Sequence, residues 1–328
     1  KTAYEILTCD WSSDVCSSDL GGTVTRYEGE LRYGELKGRG IYTAPGGERY
    51  VGEFRDGKRN GRGVLTWGDG ERYEGEFRDG IMQGYGVYVE AGGNRYEGEF
   101  VEGRREGPGT YVWASGDRYV GEFRAGRRDG QGVYTWASGD RYVGQFHEGK
   151  MHGHGVMTRA NGERYEGEWR NGMRNGQGVM TLSDGERYQG QWRDDEWSGR
   201  GIWIASKFRY EGEFRAGKPE GRGVTIMKNG QRLAGEYHDG RLHGRGEIRL
   251  ASGSHYKGEF REGRIDGSGV FTWPNGDRFK GHWRDGRADG HGVYREKSGK
   301  VFEGKWIDGC FRQGGTRIAV GRPAKECR

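Results

Sequence analysis

The chain is 328 residues long, 31% hydrophobic, 31% charged and 13% aromatic, with 68 glycines, four cysteines and a net charge of +5. Its mean hydropathy of −1.03 is that of a disordered chain, but disordered chains are poor in rings, and the regular spacing of the aromatics excludes disorder here. The basic excess is mild and interspersed with acids, which serves solubility as well as an anionic partner and marks neither.

The first twenty residues, "KTAYEILTCDWSSDVCSSDL", share nothing with the rest of the chain and lack the apolar run of a signal peptide or membrane span. Read back through the genetic code, Lys1–Ile6 and Asp10–Leu20 resemble the constant parts of a sequencing adapter. Residues 1–20 are therefore expected to be an artefact, with the native N-terminus missing. Cys9 and Cys16 leave with them, and Cys310 and Cys327 remain in the tail.

From Tyr27 onward one unit repeats. The aromatic of Y-x-G-x-(F/W) recurs at 27, 50, 73, 96, 119, 142, 165, 188, 210, 256, 279 and 302, with Leu233 taking its place once, a period of 23 that drops to 22 between Tyr188 and Tyr210. Loss of one residue in a turn is absorbed locally, whereas loss inside a strand would turn every later side chain over. "YVGEF" and "GVLTW" are short alternating runs rich in aromatic and β-branched residues, so each unit is expected to hold two strands. Asp69-Gly70, with Ser115-Gly116, Asn161-Gly162 and Asn275-Gly276 in the same place, suits a tight hairpin turn, and "RDGKRNGRG" reads as a second, longer connection.

Period-2 alternation puts Tyr50, Gly52 and Phe54 on one face with Gly63, Leu65 and Trp67, and Arg49, Val51, Glu53, Arg55, Val64 and Thr66 on the other. Gly57 and Gly70 are expected to supply positive φ, and Gly52 and Gly63 to leave room for the ring of a neighbouring strand; Gly61 suggests only a bend. No helical pattern occurs between Tyr27 and Phe302 to provide a second layer. The expected fold is all-β: an elongated single-layer antiparallel meander sheet of tandem 23-residue β-hairpin repeats, about thirteen of them over residues 21–309, with 310–328 as a tail or cap.

"YEGEWRNGMRNGQG" (Tyr165–Gly178) and "YEGEFRDG" (Tyr73–Gly80) resemble the MORN repeat, the membrane occupation and recognition nexus motif, over about Tyr27 to Cys310. Leu233 departs from the pattern at the first aromatic and Asp195 at the turn glycine, the latter a residue that tolerates that conformation. The resemblance implies scaffolding, dimerisation and recruitment, and its name adds attachment to phospholipid. MORN arrays are also fused to enzymes; no catalytic domain is encoded here, and with the native N-terminus expected to be missing a further alternative is the accessory array of an enzyme whose catalytic domain is missing.

No Walker A motif and no dinucleotide fingerprint is present, so no cofactor is expected. His152 and His154 in "MHGHGV" are the nearest approach to a metal pair, but Asn60, Asp129, Asn175 and Asp289 take the place of His152 in other repeats, which reads as a polar turn position. Glu53, Glu76, Glu99 and Glu122 recur in step with Arg55, Arg78 and Arg124, the pattern of charge ladders across strands and not of a catalytic carboxylate pair. Rings and arginines are expected on opposite faces, which argues against stacking of nucleic-acid bases. Cys310 and Cys327 suit a disulfide or free thiols equally.

The sequence therefore points to a non-enzymatic scaffold with an aromatic groove for a protein partner or a second copy of itself, and with anionic phospholipid as the alternative. The chosen groove residues are Tyr111, Trp113, Tyr119, Tyr134, Trp136 and Tyr142, where adjacent repeats both place Tyr and Trp on the ring side. A cytoplasmic or membrane-peripheral place is expected, with export left open.

Overall fold

The computed structural model describes residues 8–10, 15–20, 23–33 and 35–327. They form two units, residues 1–160 with 169–172 and residues 161–168 with 173–328. Each is an antiparallel meander in which consecutive strands pair in sequence order, and neither closes into a barrel. The described residues contain no α-helix; the one helical turn is 3-10, at Ala324–Glu326. In the first unit Thr8–Asp10 and Val15–Leu20 pair, and Val15–Leu20 joins Thr23–Arg32. The other residues of the segment expected to be artefactual lie outside the described residues.

One hairpin shows how the repeat works. Arg49–Arg55 leads and Lys58–Thr66 returns, with Tyr50 opposite Leu65, Val51 opposite Val64 and Gly52 opposite Gly63. The expected sorting of these residues between the faces therefore holds. The two connections are exchanged relative to expectation. Asp56 (φ 51°) and Gly57 (φ 76°) both lie in the left-handed region and make the two-residue turn, whose backbone twist matches that of the strands it joins. The longer link is Trp67 to Glu71, closed by Trp67 N–H to Glu71 C=O (2.8 Å) and Gly70 N–H to Trp67 C=O (3.0 Å), and there only Gly70 (φ 93°) is left-handed. Asp195, in the place of the turn glycine, takes φ 71°.

Past Gly52 the ladder slips: Phe54 faces Arg59, so the single residue Glu53 opposes Asn60, Gly61 and Arg62. This bulge is what Gly61 serves, at φ 69°. A Cβ there would also stand 2.5 Å from a Glu53 carboxylate oxygen, which folds down over the bulge. Glu53 accepts the Arg62 amide (3.4 Å), Glu168 that of Gln177 (2.9 Å) and Glu259 that of Ser268 (2.7 Å). Glu53 thus bonds the bulge of its own hairpin, and Glu76, Glu99 and Glu122 lie over the corresponding glycines Gly84, Gly107 and Gly130, in place of the expected ladder with Arg55, Arg78 and Arg124. The slip also leaves the Glu53 carbonyl without a ladder partner, and the Tyr50 hydroxyl donates to it at 3.0 Å. Tyr73, Tyr96, Tyr119, Tyr142, Tyr188 and Tyr210 do the same three residues ahead.

The core is a file of rings lying flat on glycine. Tyr50, Tyr73, Tyr96 and Tyr119 are 0% exposed, each set edge-on to the Phe of its own strand and of the next repeat, as Tyr50 is to Phe54 (5.0 Å) and Phe77 (5.2 Å). The ring of Tyr50 covers both Gly52 and Gly63: for Gly63 it comes from the neighbouring strand, as expected, whereas for Gly52 it comes from the same strand. In the second unit Leu233 is only half-buried, and Leu242, 2% exposed, is buried against that hairpin. The missing residue before Tyr210 falls in the three-residue link 205–207, and Trp203 still faces Tyr210.

The tail folds onto the last repeat. Phe311 packs on Trp306 (5.1 Å between centroids), Gly309 N–H bonds Ala288 C=O (2.7 Å), and a Cys310–Cys327 disulfide closes the segment.

Candidate functional site

The six groove residues chosen from sequence divide sharply in exposure. Tyr119 and Tyr142 are sealed at 0%, and Tyr111 and Tyr134 are buried at 7% and 8%. Burial pushes the Tyr119 phenol up to about 12, with Arg128 pulling the other way. Only Trp113 and Trp136 are half-exposed. They do come together with their neighbours: Trp113 lies 4.5 Å from Tyr111 and 5.1 Å from Tyr134, and Trp136 lies 4.4 Å from Tyr134. The Tyr134 hydroxyl donates to Asp117 (3.0 Å), whose other oxygen accepts the Ala137 amide of the next turn (2.8 Å). These side chains mainly staple one repeat to the next.

The bulge brings arginine onto this face, against the expected separation of rings and guanidinium groups. Arg59 lies over Tyr50, Arg105 over Tyr96 and Tyr111, and Arg174 over Trp192 at 4.5 Å. The slip of register that pairs Arg59 with Phe54 is the cause. Arg59 is held by Glu48 (3.1 Å), Arg105 by Glu90 (3.8 Å) and Arg174 by Asp195 (2.8 Å). Arg128 sits among Trp113, Tyr119, Tyr134 and Phe146 and donates to the Gly149 carbonyl (2.7 Å); burial draws its guanidinium below the ordinary value.

Two open grooves lie on the other face. In the first unit a groove of about 900 Å³ is floored by Ile41, Val51, Val64 and Val87 and edged by Arg39, Arg62, Glu74 and Tyr85. In the second unit a groove of about 1000 Å³ is floored by Ile202, Val224, Ile226 and Ala234 and edged by Arg200, Arg222 and Arg245 with Glu211, Glu213 and Glu236. On this face the glycine rows leave backbone bare, because their missing Cβ positions point to the tyrosines. Sequence reasoning passed over this face because its residues look like ordinary solvated charge. The signal available was Gly61, present in each repeat without any turn to explain it.

Position 60 bonds the following turn. Glu106 accepts the Ala125 amide (2.8 Å) and Asp129 the Glu148 amide (3.2 Å), and this backbone bond is the main cause holding the Asp129 carboxyl below its usual range. His152 occupies the same position, with Nδ1 buried and unpartnered among the described residues, and its ring lies 5.5 Å from that of His147. No group of three or more metal-binding side chains occurs among the described residues.

These features define a class, a tandem-repeat scaffold whose titratable groups bond its own turns and bulges. The MORN repeat model matches twelve consecutive segments between residues 27 and 300, and the chain belongs to the MORN repeat family, a non-catalytic repeat type. The thirteenth start, Phe302, falls outside the match: Val301–Trp306 joins the ladder, but Cys310–Gln313 pairs with Thr316–Ala319 instead. No curated protein sequence matches the chain. Among solved structures it is similar to the TCP10 domain of Danio rerio CPAP in complex with a STIL peptide, at 14% identity over 74% of this chain and 98% of that one, with a TM-score of 0.37. The Drosophila melanogaster SAS-4 TCP domain with a proline-rich motif of Ana2 is similar at 10% identity over 54% and 85%, with a TM-score of 0.28.

Proposed function

We propose that this chain is a non-catalytic interaction scaffold that takes up a protein segment on the face opposite its rings. One observation carries the reading: the ring file is consumed in holding the sheet together, Tyr119 and Tyr142 being 0% exposed, while aliphatic-floored grooves stand open on the other side. An exposed apolar strip edged with charge is the ordinary anatomy of a protein contact. The half-exposed indoles of Trp113 and Trp136 favour a second contact on the ring face, for a partner or for another copy of the chain.

Val64→Arg and Val224→Arg put charge into the two floors, and Trp113→Ala with Trp136→Ala strips the ring face. Partner retention and mass in solution, measured by affinity capture and light scattering, are expected to fall with the groove variants. Unchanged retention in both groove variants would refute the groove reading, and loss only in the tryptophan variant would move the contact to the rings. Flotation with vesicles of phosphatidylserine, at low and physiological salt, tests the phospholipid alternative; binding that disappears with moderate salt is non-specific.

A further inference from the structure

In the groove of the second unit, Arg200, Arg222 and Arg245 hold the same place on three successive returning strands, Glu196–Ile204, Lys218–Met227 and Arg241–Arg249. They face Glu213, Glu236 and Glu259 across the ladder. Opposed charges this close would ordinarily pair. Here the carboxylates are turned away, folded over the bulge glycines Gly221, Gly244 and Gly267 of the following strands, as Glu53 is over Gly61. All three arginines are exposed and make no ion pair among the described residues, whereas Arg209 and Arg249 nearby are paired with Glu211 and Glu247 at 2.7 Å. Elsewhere the same position carries Arg39 and Arg62 in the first unit, then Tyr85, Pro108, Gln131, His154 and Gln177, and Ser268 and His291 after Arg245, so a run of three arginines occurs in this groove alone and is not a demand of the repeat.

Their spacing selects a ligand shape. Alternate strands of a sheet lie about 9.6 Å apart. A polyproline II helix rises about 3.1 Å per residue with three residues per turn, so every third side chain returns to the same side after about 9.3 Å. Over two steps the mismatch is about 0.6 Å. An α-helix returns a side chain to one face after seven residues, about 10.5 Å, and is out by about 2 Å over the same span. In a β-strand residues three apart point to opposite sides. A polyproline II segment leaves its backbone groups solvated, which an open groove permits.

We infer that this groove binds an extended acidic peptide in the polyproline II conformation, with a carboxylate at every third residue, one to each of Arg200, Arg222 and Arg245, and its apolar side on Val224 and Ile226. The inference rests on the proposed groove function and adds the charge, conformation and register of the occupant. A nucleic-acid backbone is disfavoured because its phosphates carry no apolar side for the floor of Val224 and Ile226.

Fluorescence anisotropy on the full chain tests it with fluorescein-labelled (Glu-Pro-Pro)4, its isomer (Glu-Glu-Pro-Pro-Pro-Pro)2 of equal charge, the uncharged (Gln-Pro-Pro)4 and the oligonucleotide dT12. The expected order places (Glu-Pro-Pro)4 first, with the isomer about 5-fold weaker or more. Each of Arg200→Gln, Arg222→Gln and Arg245→Gln should weaken it about 3- to 5-fold and the triple variant by more than about 30-fold, while the exposed-charge control Lys207→Gln leaves it unchanged. Far-ultraviolet circular dichroism of the triple variant checks that the fold is intact. Equal affinity for the isomer, an unaffected triple variant, or tighter binding of dT12 would each overturn the inference. If (Gln-Pro-Pro)4 binds as well as the acidic peptide and is lost in Val224→Arg, the acidic register is wrong and the groove reading stands. Failure of every peptide overturns the inference alone, since partner retention by Val64→Arg and Val224→Arg decides the groove reading.

Discussion

Gly63→Ala is the sharpest probe of what holds the repeat together. Gly63 has no left-handed φ to explain it, so an alanine there costs nothing in backbone conformation. Its Cβ would stand 2.5 Å from Cε2 and Cζ of Tyr50, where carbon atoms need about 3.5 Å or more. The ring must move by about 1 Å, but Tyr50 is 0% exposed and held by Phe54 at 5.0 Å and Phe77 at 5.2 Å. Overpacking of this kind costs about 1–3 kcal/mol, and displacing the hydroxyl from the Glu53 carbonyl adds about 1–2 kcal/mol. The expected total is about 2–5 kcal/mol. Gly70→Ala is the control, because its φ of 93° is strained for alanine but its Cβ meets no atom within 4 Å; it should cost about 1–2 kcal/mol. Repeat arrays open locally, so hydrogen exchange over residues 50–66 reads the effect, with residues 119–135 of the same chain as an internal reference. In a Tyr50→Ala background the clash is gone and Gly63→Ala should become nearly neutral, a coupling of at least about 2 kcal/mol. Equal costs for Gly63→Ala and Gly70→Ala, or a coupling near zero, would refute the ring-on-glycine account.

Glu53→Gln should be tolerated, because Gln145 and Gln191 accept the His154 and Arg200 amides from the same place (3.3 and 3.2 Å), while Glu53→Ala leaves the bulge amide unmet and should cost about 1 kcal/mol in urea unfolding. Burial pushes the phenols of Tyr50 and Tyr119 up to about 12 from 10.0. A folded-state value raised above the unfolded one gives stability that is whole below pH 10 and is lost as pH rises through the folded value; at pH 11 the loss is about 1.4 kcal/mol per tyrosine. Urea midpoints at pH 9 and pH 11, with phenolate absorbance followed in parallel, check this, and phenolates appearing near pH 10 with native circular dichroism would contradict it. Reduction of Cys310–Cys327, separated by 17 residues, should lower the local stability of residues 301–327 by about 3 kcal/mol, read by hydrogen exchange with and without reductant.

The period of 23, the two strands per unit and the sorting of Tyr50, Gly52, Leu65 and Val64 between faces were all legible in the sequence, because side-chain alternation is fixed by the pleat and repeats itself along the chain. The lengths of the two turns were not: Asp-Gly is compatible with either, and the choice depends on whether Asp56 and Gly57 can match the twist of both flanking strands. Nor could alternation foresee the bulge at Gly61, where a shift of pairing puts Arg59 among the rings, draws Glu53 onto the backbone and leaves the Glu53 carbonyl to the Tyr50 hydroxyl. Sequence alone determined which residues share a face. Which face stands open was decided only by the tertiary structure, because exposure depends on how each ring lies on the next repeat, and the rings that look available in one hairpin are covered by its neighbour.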